Sequence, residues 1–148
     1  MRHFLCLTIL SVALSGLAAQ PISAGEKNVQ QTIEKLFAAL SDGDTAAMKT
    51  LVTTDVRFYE YGQIWTLDTL TRKVMQAKSI PGFKRSNRFE FVRTRMQHET
   101  AWATYYLTSV FTRNGKEETV KWMETVVLVK EKKSWKVDVL HSTNLTQK

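Results

Sequence analysis

The second half of the chain contains four long segments with the composition and spacing of β-strands, and this feature restricts the fold more than any other. β-branched and aromatic residues, which strands favour, dominate each segment. The segments are RFEFVRTRM, WATYYLTSVFT, TVKWMETVVLV and WKVDVLHST. Short polar stretches separate them, and one contains Asn114-Gly115, a pair typical of a two-residue hairpin turn. The pattern therefore predicts a meander of four antiparallel strands.

Helical patterns come before these strands. An apolar stripe with helical spacing is formed by Val29, Ile33, Leu36, Phe37 and Leu40. Gly43 is suited to end this helix, and Asp44 is suited to cap a second one, TAAMKTLV. Two strands, DVRFYEYG and QIWT, and a third helix, LDTLTRKVMQAK, follow. This order predicts an α+β fold with the helices packed on one side of a strongly bent antiparallel sheet.

The strands carry apolar residues on both of their faces. In WATYYLTSVF, one face holds Trp102, Tyr106 and Val110, and the other holds Tyr105, Leu107 and Phe111. The helices cover one face of such a sheet, so the other needs a second cover. We therefore expect a homodimer formed through the outer face of the sheet.

The first 24 residues have the order of a secretory signal peptide. Arg2 precedes an apolar run over residues 4–14, and small residues follow. The run is shorter than the roughly 20 residues that a bilayer-spanning helix needs, so no membrane span is expected. Cleavage after Ala24 is the first choice, and cleavage after Ala19 is the alternative. We expect a periplasmic or secreted protein with one domain, residues 25–148.

The residue content excludes several kinds of chemistry. Cys6, the only cysteine, lies in the predicted signal peptide, so the mature chain has neither a thiol nor a disulfide. The net charge of +7 is scattered along the chain and accompanies no nucleic-acid-binding motif. His98 and His141 have no carboxylate at a metal-ligand spacing, so no metal site is predicted. No nucleotide fingerprint is present, and no cofactor is expected.

Two stretches carry a resemblance to a known family. They are FAALSDGDTAAMKTLVTTDVRFYEYG and VVLVKEKKSWKVDVLHST, and the likeness extends over residues 29–143. The chain resembles the nuclear transport factor 2-like superfamily, in particular its SnoaL-like branch. The resemblance implies a cone-shaped fold, in which a bent sheet wraps around helices and leaves a deep apolar pocket. Members of the superfamily include ketosteroid isomerases, polyketide cyclases and non-catalytic binding modules.

Glu60 is the first candidate for a catalytic group. In VRFYEYG it shares a strand face with Val56 and Phe58, so an acid continues an apolar face. Burial there would raise its pKa and make it a proton shuttle near neutral pH. The resemblance implies the same role, because Glu60 falls where the isomerase branch has its general base. The alternative is a carboxylate in water or paired with Arg93 or Arg95.

His141 is the second candidate. It follows Trp135, Val137 and Val139 at strand spacing, which predicts that it points inward and acts with Glu60. The alternative is a histidine that is hydrogen-bonded at the mouth of the pocket. Aromatic residues suited to a pocket wall are Tyr59, Trp65, Tyr105, Tyr106 and Trp122. The spacing of these residues alone does not show which of them line the pocket and which lie at the dimer interface.

Two functions are consistent with these features. The first is the binding of a small hydrophobic or aromatic molecule, with acid–base catalysis that uses no cofactor. In the catalytic version, Glu60 moves the proton, His141 assists and a tyrosine hydroxyl stabilises negative charge. The second is a non-catalytic, dimeric association module that binds a partner protein.

Overall fold

The computed structural model describes residues 22–146, which form three helices and six strands. The elements are α1 (Ala24–Asp42), α2 (Thr45–Leu51), β1 (Val52–Glu60), β2 (Gln63–Trp65), α3 (Leu67–Lys78), β3 (Lys84–Gln97), β4 (Thr100–Arg113), β5 (Lys116–Glu131) and β6 (Ser134–Asn144). Within this range, no helix has both the length and the apolar character needed to cross a membrane. Residues 1–21 of the predicted signal peptide lie outside the described residues.

Helix α1 begins with a capping box and buries one face. Ser23 Oγ accepts a hydrogen bond from the Glu26 amide at 3.2 Å, and Glu26 Oε2 accepts one from the Ser23 amide at 3.0 Å. The predicted apolar stripe is confirmed, since Val29, Ile33, Leu36, Phe37 and Leu40 are all buried. Gly43 ends the helix with a left-handed backbone (φ 73°), and Asp44 caps α2, as predicted.

The six strands form one sheet in the order β2-β1-β6-β5-β4-β3. Strands β3 to β6 make the predicted meander, and Asn114 (φ 50°) and Gly115 (φ 75°) form the predicted turn between β4 and β5. The predicted α+β fold is therefore confirmed. Strand β1 runs parallel to β6, so the sheet is mixed. These two strands are distant in sequence, and no hairpin constrains their relative direction.

A β-bulge in β6 changes which of its residues face the helices. Val137 lies opposite Leu128, but Val139 lies opposite Val127, so Asp138 is an extra residue. The side chains of a strand alternate between its two faces, and one extra residue shifts that alternation by one position. Residues after the bulge therefore face the opposite way from the direction that an unbroken strand would give them. A second bulge interrupts β3.

The side of the sheet away from the helices is called here the outer face. It carries Tyr59, Trp102, Tyr106, Met123, Val127, Val139 and His141. Tyr59, Tyr106 and Met123 are 38%, 44% and 46% exposed, which leaves apolar surface open on this face. The predicted homodimer through this surface stays a prediction.

Candidate functional site

A cavity of about 240 Å³ lies between α1, α3 and the helix-facing side of the sheet. Most of its wall is apolar, and the aromatic part is formed by Phe37, Phe58, Trp65, Phe83, Phe111 and Trp122. The polar part of the wall is formed by Glu60, Tyr61, Lys73, Arg85, Arg113 and Glu124. An apolar cavity with a few convergent polar groups is the usual form of a small-molecule site.

Glu60 is the last residue of β1 and lines the cavity. Val56 and Phe58 are buried on the same face, so the predicted direction of the Glu60 side chain is confirmed. Glu60 Oε1 accepts a hydrogen bond from Ser142 Oγ at 2.8 Å. Burial raises the pKa of Glu60, although the hydrogen bond from Ser142 and the charge of Arg85 oppose the rise. Glu60 is therefore a carboxyl whose proton affinity is increased by its surroundings.

A second carboxyl, Glu124 on β5, reaches the same cavity. It is 3% exposed, and its Oε1 is 3.0 Å from Ser142 Oγ. Burial raises the pKa of Glu124 to about 7, and the nearby charge of Glu60 adds to the rise. Sequence reasoning missed this residue although a signal was present. The helix-facing positions of β5 are Val120, Trp122, Glu124, Val126 and Leu128, an apolar row with one acid in it.

Ser142 joins the two carboxyls through one hydroxyl group. Its Oγ is within hydrogen-bond distance of Glu60 Oε1 and Glu124 Oε1. A serine hydroxyl has one proton, so it can donate to only one of two carboxylates. The other contact is favourable when that carboxyl is protonated and donates to the hydroxyl oxygen. The arrangement therefore fits a pair of acids that holds one proton, and deeper burial favours Glu124 as the protonated member.

Three polar atoms buried beside this pair make no hydrogen bond of normal geometry among residues 22–146: Tyr105 Oη, Trp122 Nε1 and Glu124 Oε2. The Tyr105 hydroxyl and the Glu124 carboxyl nevertheless lie close enough to interact. Tyr105 lies directly opposite Glu124 in the β4–β5 register. Burial and the nearby Glu124 raise the pKa of Tyr105 well above its ordinary value, so its hydroxyl keeps its proton. Buried polar groups without partners cost free energy. Water or a guest molecule that satisfied them would be stabilised here.

Arg85 on β3 is a largely buried cation in the cavity wall. Its Nε donates to Asn87 Oδ1 at 3.0 Å, and its Nη2 donates to Ser109 Oγ at 3.3 Å. The guanidinium carbon lies 5.3 Å from the ring centroid of Phe37 and 5.1 Å from that of Phe111. Within the described chain, no carboxylate forms an ion pair with it. Arg85 is thus held in place by neutral groups.

The prediction that His141 faces the cavity is wrong. The extra residue at Asp138 shifts the alternation in β6, so Ser142 points inward and His141 points outward. His141 is exposed and packs against Tyr59 on the outer face, with ring centroids 6.2 Å apart. It therefore does not meet Glu60, and Ser142 occupies the position next to that acid.

The five aromatic candidates divide between the two faces of the sheet. Trp65 and Trp122 line the cavity. Tyr105 is fully buried under the cavity wall, and its sequence neighbour Tyr106 is exposed on the outer face. Tyr59 also lies on the outer face. Of the five candidates, only Trp65 and Trp122 line the cavity, and Tyr105 is buried beneath its wall.

The carboxyl pair has no third metal-ligating side chain beside it in the part of the chain that the structure describes. Proton transfer by Glu60 and Glu124 needs no further ligand, because one carboxyl can accept a proton while the other donates one. The arrangement can thus supply acid–base chemistry with the protein's own groups.

One family model matches the chain. Its description is a SnoaL-like domain, and it matches residues 29–143. No curated protein matches the sequence closely enough to be considered a relative.

Solved structures share this fold at low sequence identity. The hub of CaMKII from S. rosetta has a TM-score of 0.69 and 23% identity, covering 84% of this chain and 99% of that one. A ketosteroid isomerase-like protein from Erwinia carotovora atroseptica SCRI1043 has a TM-score of 0.67 and 14% identity, covering 85% and 100%. An NTF2-like protein from Cytophaga hutchinsonii ATCC 33406 has a TM-score of 0.65 and 16% identity, covering 84% and 100%. At these identities the likeness shows the fold alone.

Proposed function

The chain belongs to the SnoaL-like domain family, and from this premise we propose that its cavity binds a small hydrophobic or aromatic molecule and catalyses proton transfer on it without a cofactor. The proposal rests on one observation, the contact of a single serine hydroxyl with two carboxyls in an apolar wall. An apolar surrounding raises the pKa of a carboxyl toward neutral pH, where proton transfer is most efficient.

Glu60 and Glu124 have different roles in this reaction. Glu60 removes a proton from a carbon next to a carbonyl group of the guest, and the electron pair of the C–H bond moves to the carbonyl oxygen. Glu124 is kept protonated by burial, and its proton turns from Ser142 to the guest: it is donated through Oε2, which makes no hydrogen bond of normal geometry among the described residues, to that oxygen as it becomes negative. Glu60 then returns its proton to carbon, so no net charge is gained or lost. Ser142 holds Glu60 in place while Trp65 and Trp122 contact the guest.

The volume of the cavity limits the size of the guest. A cavity of roughly 150 Å³ lined by apolar side chains is known to hold one benzene molecule. The present cavity of about 240 Å³ therefore has room for one substituted ring or a compact pair of rings. We therefore propose a carbonyl compound with one or two rings as the substrate class.

Exchange of hydrogen for deuterium tests this proposal. One- and two-ring aryl ketones are incubated with the protein in deuterated buffer, and loss of the signal of the hydrogen next to the carbonyl is followed by NMR. Glu60→Gln is expected to lose at least about a hundredfold in exchange rate, because general-base catalysis contributes that much. Glu90→Gln, an exposed site on β3, is the matched control and should keep the wild-type rate. If Glu60→Gln exchanges as fast as wild type, Glu60 is not the base.

The second candidate function is a non-catalytic association module. It is favoured by the exposed apolar side chains Tyr59, Tyr106 and Met123 on the outer face. Exposed apolar patches on a sheet are typical of protein interfaces. We propose that this face forms a homodimer in either case. We also propose that the protein is exported to the periplasm or secreted, as the order of its first residues indicates.

A further inference from the structure

We infer that the guest of the cavity is an organic anion, a one- or two-ring carboxylate whose carboxylate group is held by Arg85. The inference rests on the proposed function, because it names the chemical class of the molecule that occupies the same cavity. Three observations lead to it: the unused donors of Arg85, the charge of the cavity wall and the aromatic rings around the guanidinium.

Arg85 has hydrogen-bond donors that the protein does not use. A guanidinium has five N–H groups. Nε donates a hydrogen bond to Asn87 Oδ1, and one N–H of Nη2 donates to Ser109 Oγ. Nη1 makes no hydrogen bond to any described residue. Arg85 keeps its positive charge at physiological pH, and Glu60 and Glu124 lie near enough to favour that charge but form no ion pair with it among the described residues. A carboxylate in the cavity would supply both the acceptor oxygens and the opposite charge.

The cavity wall has an excess of positive charge. Its charged side chains are Lys73, Arg85, Arg113, Glu60 and Glu124. Arg113 also lies 3.5 Å from Glu118, which offsets its charge. The two acids of the wall share Ser142 in a geometry that fits one proton, so together they carry one negative charge. The remaining balance is positive, which favours a negatively charged guest.

The cavity wall around the guanidinium is aromatic. The guanidinium carbon of Arg85 lies 5.3 Å from the ring centroid of Phe37 and 5.1 Å from that of Phe111, and both rings line the cavity. A ring carboxylate can place its oxygens on the guanidinium edge and its ring against these aromatic walls. A phosphate ester carries nearly two charges and three oxygens, which one guanidinium with two engaged N–H groups does not satisfy.

A pair of probes with equal shape and unequal charge tests the inference. Benzoate and benzamide are titrated into the purified chain, and the NMR signals of the Trp65 and Trp122 indoles report binding in the cavity. Wild type is expected to bind benzoate at least about tenfold more tightly than benzamide, because a charge-assisted hydrogen bond is worth that difference.

Two variants assign the preference to one side chain. Arg85→Gln removes the charge and keeps an amide that can bond Asn87 and Ser109. It is expected to weaken benzoate binding by about tenfold, to the level of benzamide, and to leave benzamide binding unchanged. Arg88→Gln alters the net charge equally at an exposed position outside the cavity wall, and it should keep the preference.

The outcomes separate this inference from the proposed function. Equal binding of benzoate and benzamide by wild type would overturn the anion assignment, and the cavity would remain a site for neutral guests. A preference that survives in Arg85→Gln would also overturn it. If neither probe shifts the indole signals, the proposed binding function fails for guests of this size, and the inference fails with it.

Discussion

Ser142 on β6 lies directly opposite Glu124 on β5, and its hydroxyl oxygen is 3.0 Å from the carboxyl of that residue. β6 lies between β5 and β1 in the sheet, so the same side chain also reaches Glu60 on β1, at 2.8 Å. The sheet order thus joins two acids that are far apart in sequence. The pair, and not either acid alone, is the unit whose protonation decides the chemistry of the cavity.

Protonation of Glu124 should make folding stability depend on pH. Its folded-state pKa of about 7 lies above the ordinary 4.5, so between these values the folded protein holds a proton that the unfolded chain releases. The contribution of Glu124 to the free energy of unfolding is therefore fully present below about 4.5 and is lost as pH rises through about 7. The gap between 4.5 and about 7 corresponds to at most roughly 3 kcal/mol. Urea unfolding at a series of pH values measures the fall.

Glu124→Gln is the control for this pH dependence. The amide is neutral at every pH, so most of the slope should disappear, and only the smaller contribution of Glu60, with the same sign, should remain. The variant should be more stable than wild type above about pH 7. Equal slopes in wild type and variant would show that Glu124 ionises like an exposed acid.

Removal of the Ser142 hydroxyl should raise the pKa of Glu60. The hydroxyl donates its one proton to Glu60, and this hydrogen bond favours the ionised carboxylate and so holds the pKa of Glu60 down. In Ser142→Ala the bond is lost, and carbon NMR of the glutamate carboxyls should show the titration of Glu60 at higher pH than in wild type. Ser142→Thr keeps a hydroxyl and should titrate close to wild type. A fall or no change in the pKa of Glu60 in Ser142→Ala would contradict this hydrogen bond.

A charge at the centre of the outer face should weaken the proposed homodimer. Met123 is 46% exposed and lies directly opposite Tyr106. Met123→Glu would place an unpaired charge in the contact and should weaken dimerisation by at least about tenfold, measured by analytical ultracentrifugation. Gln31→Glu adds the same charge to an exposed site on α1 and should leave the dimer unchanged. A wild-type protein that sediments as a monomer would remove the dimer from the proposal.

The two proposed cleavage positions should give chains of different stability, because only one of them keeps the Ser23 cap. Cleavage after Ala19 keeps Ser23, whereas cleavage after Ala24 removes it together with its hydrogen bonds to Glu26. A chain that begins at Gly25 should be less stable than one that begins at Gln20 by about 1 kcal/mol, the usual value of an N-cap. Urea unfolding of both forms and of Ser23→Ala in the longer one measures this. Equal stabilities of all three would show that the cap contributes nothing.

The face of Glu60 was predictable because β1 alternates without interruption from Val56 to the end of the strand. Periodicity also located α1 and its Gly43 stop, because helix spacing and capping are local properties of the sequence. Glu124 was also accessible to the same reasoning. It was missed because β5 is apolar on both faces, so the inward row was not distinct.

His141 was not predictable by the same reasoning. Val137 and Val139 look like an unbroken apolar row, but the bulge at Asp138 places them on opposite faces. The role of Arg85 was equally hidden, since its place in the cavity depends on Phe37 of α1 and Phe111 of β4. The residue spacing within one segment does not predict contacts between elements that are distant in sequence.

The bulge at Asp138 decides on which face of the sheet each later residue of β6 lies. If Asp138 took part in the ladder, every later residue would move by one place and His141 would lie opposite Glu124. Deletion of Asp138 would instead remove the bulge and leave Ser142 opposite Glu124. A relative that lacks this one residue could therefore keep the same inward side chains, and an alignment with it would need a one-residue gap at this point.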